Sequence, residues 1–208
     1  MYEQLEKNWF CLATQFTTIK SAQKAFLLLK QQYTGSSRHY HNFEHLNAMF
    51  KGLELSESKI NKIEIIQFAI WFHDVVYNAY KKNNEVRSAK KATNFLNTSS
   101  FAKEKTQKVV LFIEATAKHE LLIHNNDLAL FLDLDLSILG SERSVYQSYT
   151  KKIRKEYQLI PAFMYKKGRK AVLQHFMSRK NLYFTPEFQE KLEEQARENI
   201  AWEIDSLN

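Results

Sequence analysis

Apolar residues along this chain recur at spacings of three and four, the period of a helix that turns one face to a core. Leu5, Trp9, Leu12, Phe16 and Ile19 make one such stripe, and Ala22, Ala25, Phe26 and Leu29 a second, after which Gly35 offers a stop. The spacing predicts a pair of antiparallel helices across residues 1–34. A third helix is expected over 41–53, turning Phe43, Leu46, Met49 and Phe50 inward, with Ser56 or Ser58 able to cap the next. Over 60–75 the pattern changes: Ile60, Ile63, Ile65, Ile66, Phe68, Ala69, Ile70, Trp71 and Phe72 are apolar almost all the way round, which places this helix at the centre of the domain. Further helices are expected over 84–96, 101–117, 126–138, 141–157, 161–176 and 186–202. Pro161 and Pro186 suit first-turn positions, where a missing N–H costs nothing.

Composition narrows the class. Only 4 Gly and 2 Pro occur in 208 residues, which starves β-turns and leaves helices undisturbed, so the fold is expected to be all-α. A hydrophobic share of 44% with 25% charged residues is that of a globular chain and excludes disorder. No repeat or Pro/Gly/Ser linker interrupts the sequence, so residues 1–208 are read as one domain with the N-terminal helical pair packed on it. The lone Cys11 excludes a disulfide framework and a thiolate zinc site. With a charged start and no apolar run long enough to span a bilayer, a cytoplasmic protein without membrane anchoring is expected.

The net charge of +7 favours anionic partners, nucleic acid or a phosphorylated metabolite alike. It is concentrated between Lys81 and Lys108 and again between Lys151 and Lys180, where ten Lys or Arg face Glu156 alone. Most of these charges read as solvated helix faces.

The chemistry concentrates in three stretches. His73 and Asp74 stand at the end of the buried fourth helix, where a carboxylate needs a basic partner or a metal ion. Upstream, Arg38-His-Tyr-His-Asn-Phe-Glu-His45 holds three histidines, with His41 and His45 one helical turn apart on one face. Downstream, Asp133 and Asp135 lie in an apolar run and point to opposite sides of a helix, so only one of them enters a shared site; the other is a candidate to orient a histidine from behind. Two imidazoles and carboxylates form a mixed nitrogen and oxygen set suited to Mn, Fe, Ni, Zn or Mg, one or two ions per site.

These residues carry a resemblance. His45, His73-Asp74 and Asp135 look like the signature of the HD superfamily of metal-dependent phosphohydrolases. Tyr40-His-Asn-Phe-Glu-His45, Phe72-His-Asp-Val and Asp135-Leu-Ser resemble motifs of the cyclic-nucleotide phosphodiesterases. The chain is more similar still to a bacterial family of predicted HD phosphohydrolases, over about residues 35–203. Its hallmarks stand here as Arg38-His-Tyr-His-Asn42, Trp71-Phe-His-Asp-Val-Val-Tyr77, Asn84-Glu-Val-Arg-Ser-Ala89, Ala115-Thr-Ala-Lys-His119, Asp133-Leu-Asp-Leu-Ser-Ile-Leu-Gly140, Ile153-Arg-Lys-Glu-Tyr157 and Ala196-Arg-Glu-Asn199.

The resemblance implies a helical HD bundle whose central helices converge on a metal site. It implies His45, His73, Asp74 and Asp135 as ligands, His41 as general acid, Asp74 as the group that orients or deprotonates water, and His119 as a ligand of a second metal or a phosphate contact. Arg38 and Asn42 are expected at the substrate phosphate, and Glu85 and Ser88, one helical turn apart, near the metal-site waters. The expected activity is hydrolysis of a phosphoester or phosphoanhydride in a small phosphorylated substrate, a nucleotide or related metabolite, by metal-activated water. After His73-Asp74 the chain reads Val-Val-Tyr, without the further histidine of the phosphodiesterases, so cyclic-nucleotide specificity does not carry over. The competing expectation is a non-catalytic basic helical protein with a structural metal that binds nucleic acid, for which no recognition motif is present.

Overall fold

The computed structural model describes every residue of the chain except Glu57 and Leu122. Among the described residues the protein is all-α, with ten α-helices, one short 3-10 helix and no strand. The helices are α1 (Tyr2–Ala13), α2 (Ile19–Tyr33), α3 (Phe43–Leu55), α4 (Ile63–Phe72), α5 (Asn84–Leu96), α6 (Lys103–Ala115), α7 (Asn126–Leu136), α8 (Arg143–Glu156), α9 (Ala162–Met177) and α10 (Pro186–Ser206). The 3-10 helix, Ser137–Gly140, continues α7. No helix among the described residues is long and apolar enough to cross a membrane.

Local chemistry sets where several helices begin. Thr18, Asn42, Asn125 and Thr185 each accept a backbone N–H from the first turn of α2, α3, α7 and α10, satisfying donors that the helix itself cannot. The start of α4 has no cap of its own. Instead the Asp127 carboxylate on α7 accepts the backbone N–H of Asn61 and Lys62 at 2.8 and 2.9 Å. Pro186 occupies the first turn of α10 as expected, whereas Pro161 lies one residue earlier relative to its helix, as the N-cap of α9.

Seven of the ten residues of α4 are buried, from Ile65 to Phe72, and the helix packs on α3, α5, α6 and α7. Each of its buried Ile and Phe side chains contributes about 1.5–3 kcal/mol over leaving it in water. Trp9 on α1 closes this core, with its ring edge-on to Trp71 and its indole N–H donated to the Ala22 carbonyl of α2. The contact between α3 and α7 is close: a Cβ on Gly52 would stand 2.7 Å from Leu134 Cδ2. Past the C-terminus of α7, Gly140 lies against α10, where a Cβ would meet Leu192 Cβ at 2.6 Å and the Leu192 carbonyl oxygen at 2.8 Å.

Three expectations about the elements are corrected. α1 ends at Ala13, not near Ile19, because Thr18 opens the next helix; Phe16 keeps the periodicity from within the turn by packing on Phe68 and Phe101. Ser56 and Ser58 do not cap α4; both hydroxyls donate to Glu187 at the start of α10. The third helix begins at Phe43, capped by Asn42, so His41 precedes it and does not share a helical face with His45.

Candidate metal centre

Ligand atoms of three separated stretches converge. His45 from α3, His73 at the end of α4 and Asp135 near the end of α7 each offer one atom, all within 4.8 Å of one another, a group able to hold a metal ion. His45 Nε2 lies 3.2 Å from His73 Nε2 and 3.1 Å from Asp135 Oδ1, and His73 Nε2 lies 3.2 Å from Asp74 Oδ2. The other oxygen of Asp135 lies 2.9 Å from His119 Nε2.

The backbone fixes the tautomer of His73. Its Nδ1 is 2.9 Å from the Ile70 carbonyl, which can only accept, so the proton sits on Nδ1 and a neutral ring presents a bare Nε2 to the cluster. That is the orientation in which imidazole binds a metal. Two imidazole nitrogens facing each other beside carboxylates need a proton or a cation between them. Without a metal, His73 supplies the charge: burial works against it, but the Asp74 carboxylate, with Asp135 behind it, lifts its pKa to about 9. Burial holds His45 below its usual value. Asp74 and Asp135 sit below the ordinary carboxylate range, since the facing histidines outweigh the burial that would raise them.

Asp74 and Asp135 line a cavity of about 710 Å³, together with Tyr40, His41, Glu85 and His119, and His45 and His73 lie buried behind this wall. The volume is that of a small-molecule site. His41 reaches the cavity from the loop before α3, held there by a residue that entered the sequence motifs only within Ile153-Arg-Lys-Glu-Tyr157, without a role of its own. Glu156, at the end of α8, is buried; its Oε1 accepts the backbone N–H of Tyr40 and His41 at 2.7 and 3.0 Å, and its Oε2 lies 2.6 Å from His41 Nδ1. Nδ1 therefore donates to Glu156 and leaves Nε2 free. Burial lowers the His41 pKa, but Asp74 and then Glu156 outweigh it and carry it above 6.5; Glu156 in turn falls below its usual value through its bond to His41. The signal for Glu156 was present in the sequence as the single acid among ten basic residues.

The two aspartates of α7 do separate as the helical period requires. Asp135 meets the histidines, while Asp133 is fully buried on the other side and accepts the Phe184 N–H, the Thr185 N–H and the Thr185 hydroxyl. Asp133 thus anchors the segment before α10 and orients no histidine. Burial raises its pKa to about 6 against these three donors.

Several expected substrate contacts have structural partners instead. The Arg38 guanidinium is buried between the Tyr33 and Tyr77 rings and donates to the carbonyls of His41, Asp74 and Val75. It ties the turn that follows α4 to the His41 loop, so these donors are taken up by backbone and not left to a phosphate. Asn42 is used as the cap of α3, its amide donating to the Arg38 and His39 carbonyls. Ser88 is fully buried and bonds both the N–H and the carbonyl of Val76. Of the predicted pair, Glu85 alone reaches the cavity wall.

His119 has φ +49°, the left-handed region that histidine enters only occasionally. Arg179 holds it there by donating to the carbonyls of Lys118 and His119 at 2.7 and 2.8 Å. His175, which the sequence left without a role, also lines the cavity. Comparison of the chain with protein-family models, with curated proteins and with solved structures returns no match.

Proposed function

We propose that this chain is a metal-dependent phosphohydrolase of the HD type, acting on a small phosphorylated substrate. One observation carries the reading: ligand atoms of the buried His45 and His73 converge with that of Asp135, and Asp135 lines a cavity that also receives a proton donor, His41, on a buried carboxylate. Three protein ligands beside open space are the arrangement of catalytic metal sites, whereas structural sites are closed by a fourth. The resemblance in the motifs points to phosphoryl transfer.

The donor set fits a divalent ion. The His73 tautomer is preset, the ligands are two nitrogens and a carboxylate, and the negative charge of Asp74 and Asp135 is met among the described residues by histidines alone. Zn, Mn, Fe and Ni all accept such ligands, and Mg less readily. When bound, the ion withdraws charge from the phosphoryl oxygens and lowers the pKa of water.

The side chains supply the rest. Asp74, on the cavity side of His73, orients the attacking water and accepts its proton. Protonated His41 gives the Nε2 proton to the departing oxygen, a contribution on the order of 10²–10⁴-fold, and Glu156 holds the ring in the tautomer that this needs. His119 either steadies the second oxygen of Asp135 or, turned inward, reaches a second ion or a phosphate.

The test is release of phosphate from a panel of phosphomonoesters, diesters and anhydrides by chelator-treated protein, before and after Mn²⁺ or Zn²⁺ is added. Turnover is expected only with metal, and His73→Ala and Asp135→Ala are expected to abolish it with helical circular dichroism unchanged. Turnover that ignores both chelation and these substitutions removes the reading.

A further inference from the structure

The two basic stretches of the chain, one opening at Lys81 and the other at Lys151, meet in space. The Tyr80 hydroxyl lies 3.5 Å from the Glu156 carbonyl oxygen and 3.4 Å from the Leu159 backbone nitrogen, which joins the turn before α5 to the loop between α8 and α9. Apolar side chains stand out from this junction: Leu159 is 77% exposed, Phe163 73%, Met164 52% and Tyr80 47%. The loop that displays them is braced. The Ile160 N–H is donated to the Tyr157 carbonyl at 2.9 Å, and Arg154 donates to the carbonyls of Tyr157 and Ile160 at 2.6 and 3.1 Å, so Leu159 is held outward by its own neighbours. Apolar surface kept in water by such bonding marks a place where something else covers it.

Lys81, Lys82, Lys155 and Lys167 flank these residues in the chain, all of them exposed and without an ion-pair partner among the described residues. No acid lies between Asp74 and Glu85, and between Arg143 and Pro186 the one acid is Glu156, buried and bonded to His41. We infer that this surface docks on a lipid bilayer bearing anionic headgroups, with the lysines against the headgroups and Leu159, Phe163 and Met164 entering the apolar layer beneath. Apolar groups ringed by cations gain from both layers of such a bilayer, and no other occupant meets both. A nucleic acid would satisfy the lysines and leave Leu159 and Met164 against phosphates. A second copy, joined about a two-fold axis, would bring the lysines of one chain towards the same lysines of the other. The contact is peripheral, since no helix among the described residues is long and apolar enough to cross a membrane. Met164 also lines a cavity of about 470 Å³ that shares His41 with the metal-site cavity, so docking sets the candidate site beside the lipid. The inference stands apart from the phosphohydrolase reading, and failure of either leaves the other intact.

Co-sedimentation of the full chain with vesicles at physiological ionic strength tests this. Vesicles of equal parts phosphatidylserine and phosphatidylcholine are expected to bind it at least tenfold more tightly than phosphatidylcholine alone. Leu159→Ser combined with Phe163→Ser is expected to weaken that binding at least tenfold, and so is Lys81→Glu combined with Lys155→Glu. All four positions are exposed, so helical circular dichroism should not change. Absence of binding to the anionic vesicles overturns the inference, as does binding that is indifferent to either pair of substitutions. An oligonucleotide bound more tightly than the vesicles assigns the surface to nucleic acid. Dimers in sedimentation equilibrium that the Leu159 and Phe163 substitutions dissolve assign it to a second copy, and either result overturns the inference as well.

Discussion

His41 Nδ1 lies 2.6 Å from the Oε2 of Glu156, a residue 115 positions away whose other oxygen holds the backbone of the same loop. The Glu156→Gln variant keeps an acceptor for the backbone but loses the charge. The His41 pKa is expected to fall towards 6.5, read as its imidazole proton shift against pH in metal-free protein, and the alkaline limb of kcat/KM to move to lower pH. The sign for stability follows from the two shifts. The raised His41 contributes fully below about 6.5 and loses its contribution as pH rises through its folded value. The lowered Glu156 contributes above about 4.5 and loses it as pH falls through its folded value. Between these limits the substitution costs about 1–2 kcal/mol, and the cost shrinks on either side.

Metal binding should register in stability without any substrate. A divalent ion at 100 times its dissociation constant adds about 2.7 kcal/mol to the folded state, which raises Tm by roughly 5–10 °C for a chain of this size. Asp135→Asn is expected to remove this shift and also to lower the metal-free Tm, because the carboxylate is paired with His45, His73 and His119. Asp133→Asn is expected to lower Tm through its lost bonds to Phe184 and Thr185 while keeping the metal shift. Differential scanning fluorimetry with and without Zn²⁺ separates the two.

The close helix contacts predict unequal costs for adding one methyl group. At Gly52 the group met is Leu134 Cδ2, the end of a side chain able to turn, and Gly52→Ala should cost about 1 kcal/mol. At Gly140 it is the Leu192 backbone carbonyl, which α10 holds in place, so Gly140→Ala should cost about 2–3 kcal/mol. Equal midpoints in urea for the two variants would contradict this.

Arg38→Lys tests whether that residue serves structure or substrate. Lysine cannot span the carbonyls of His41, Asp74 and Val75 from one planar group, nor fill the space between Tyr33 and Tyr77 as guanidinium does. Stability should fall by about 2–4 kcal/mol, seen as a lower urea midpoint at unchanged slope. A variant with unaltered stability and a raised KM would instead make Arg38 a phosphate ligand.

Much of the helical framework was legible in the chain, because periodicity and capping are local. The stripe of α2, the all-round apolar α4 and the opposed aspartates of α7 follow from the helical repeat. The errors came where a local pattern was satisfied by a distant group. Phe16 kept the period of α1 from within a turn, and Ser56 and Ser58 looked like caps but bind Glu187. Arg38 and Asn42 stand among the histidines in sequence, and Ser88 one helical turn after Glu85, yet their polar groups are taken up by backbone. Glu156, although part of the motif over 153–157, had no role assigned because nothing near it in the chain says which loop it will face.

The order of apolar and polar residues by itself determined that the chain is helical, that α4 is central, and that imidazoles and carboxylates stand at the ends of buried helices. It did so because helix formation and burial of a face depend on neighbours within a few residues. Only the tertiary structure decided which of these polar groups meet. The 3.1 Å approach of His45 to Asp135 and the hold of Glu156 on His41 depend on how closely whole helices pack, and that is set by side-chain volumes contributed from all along the chain.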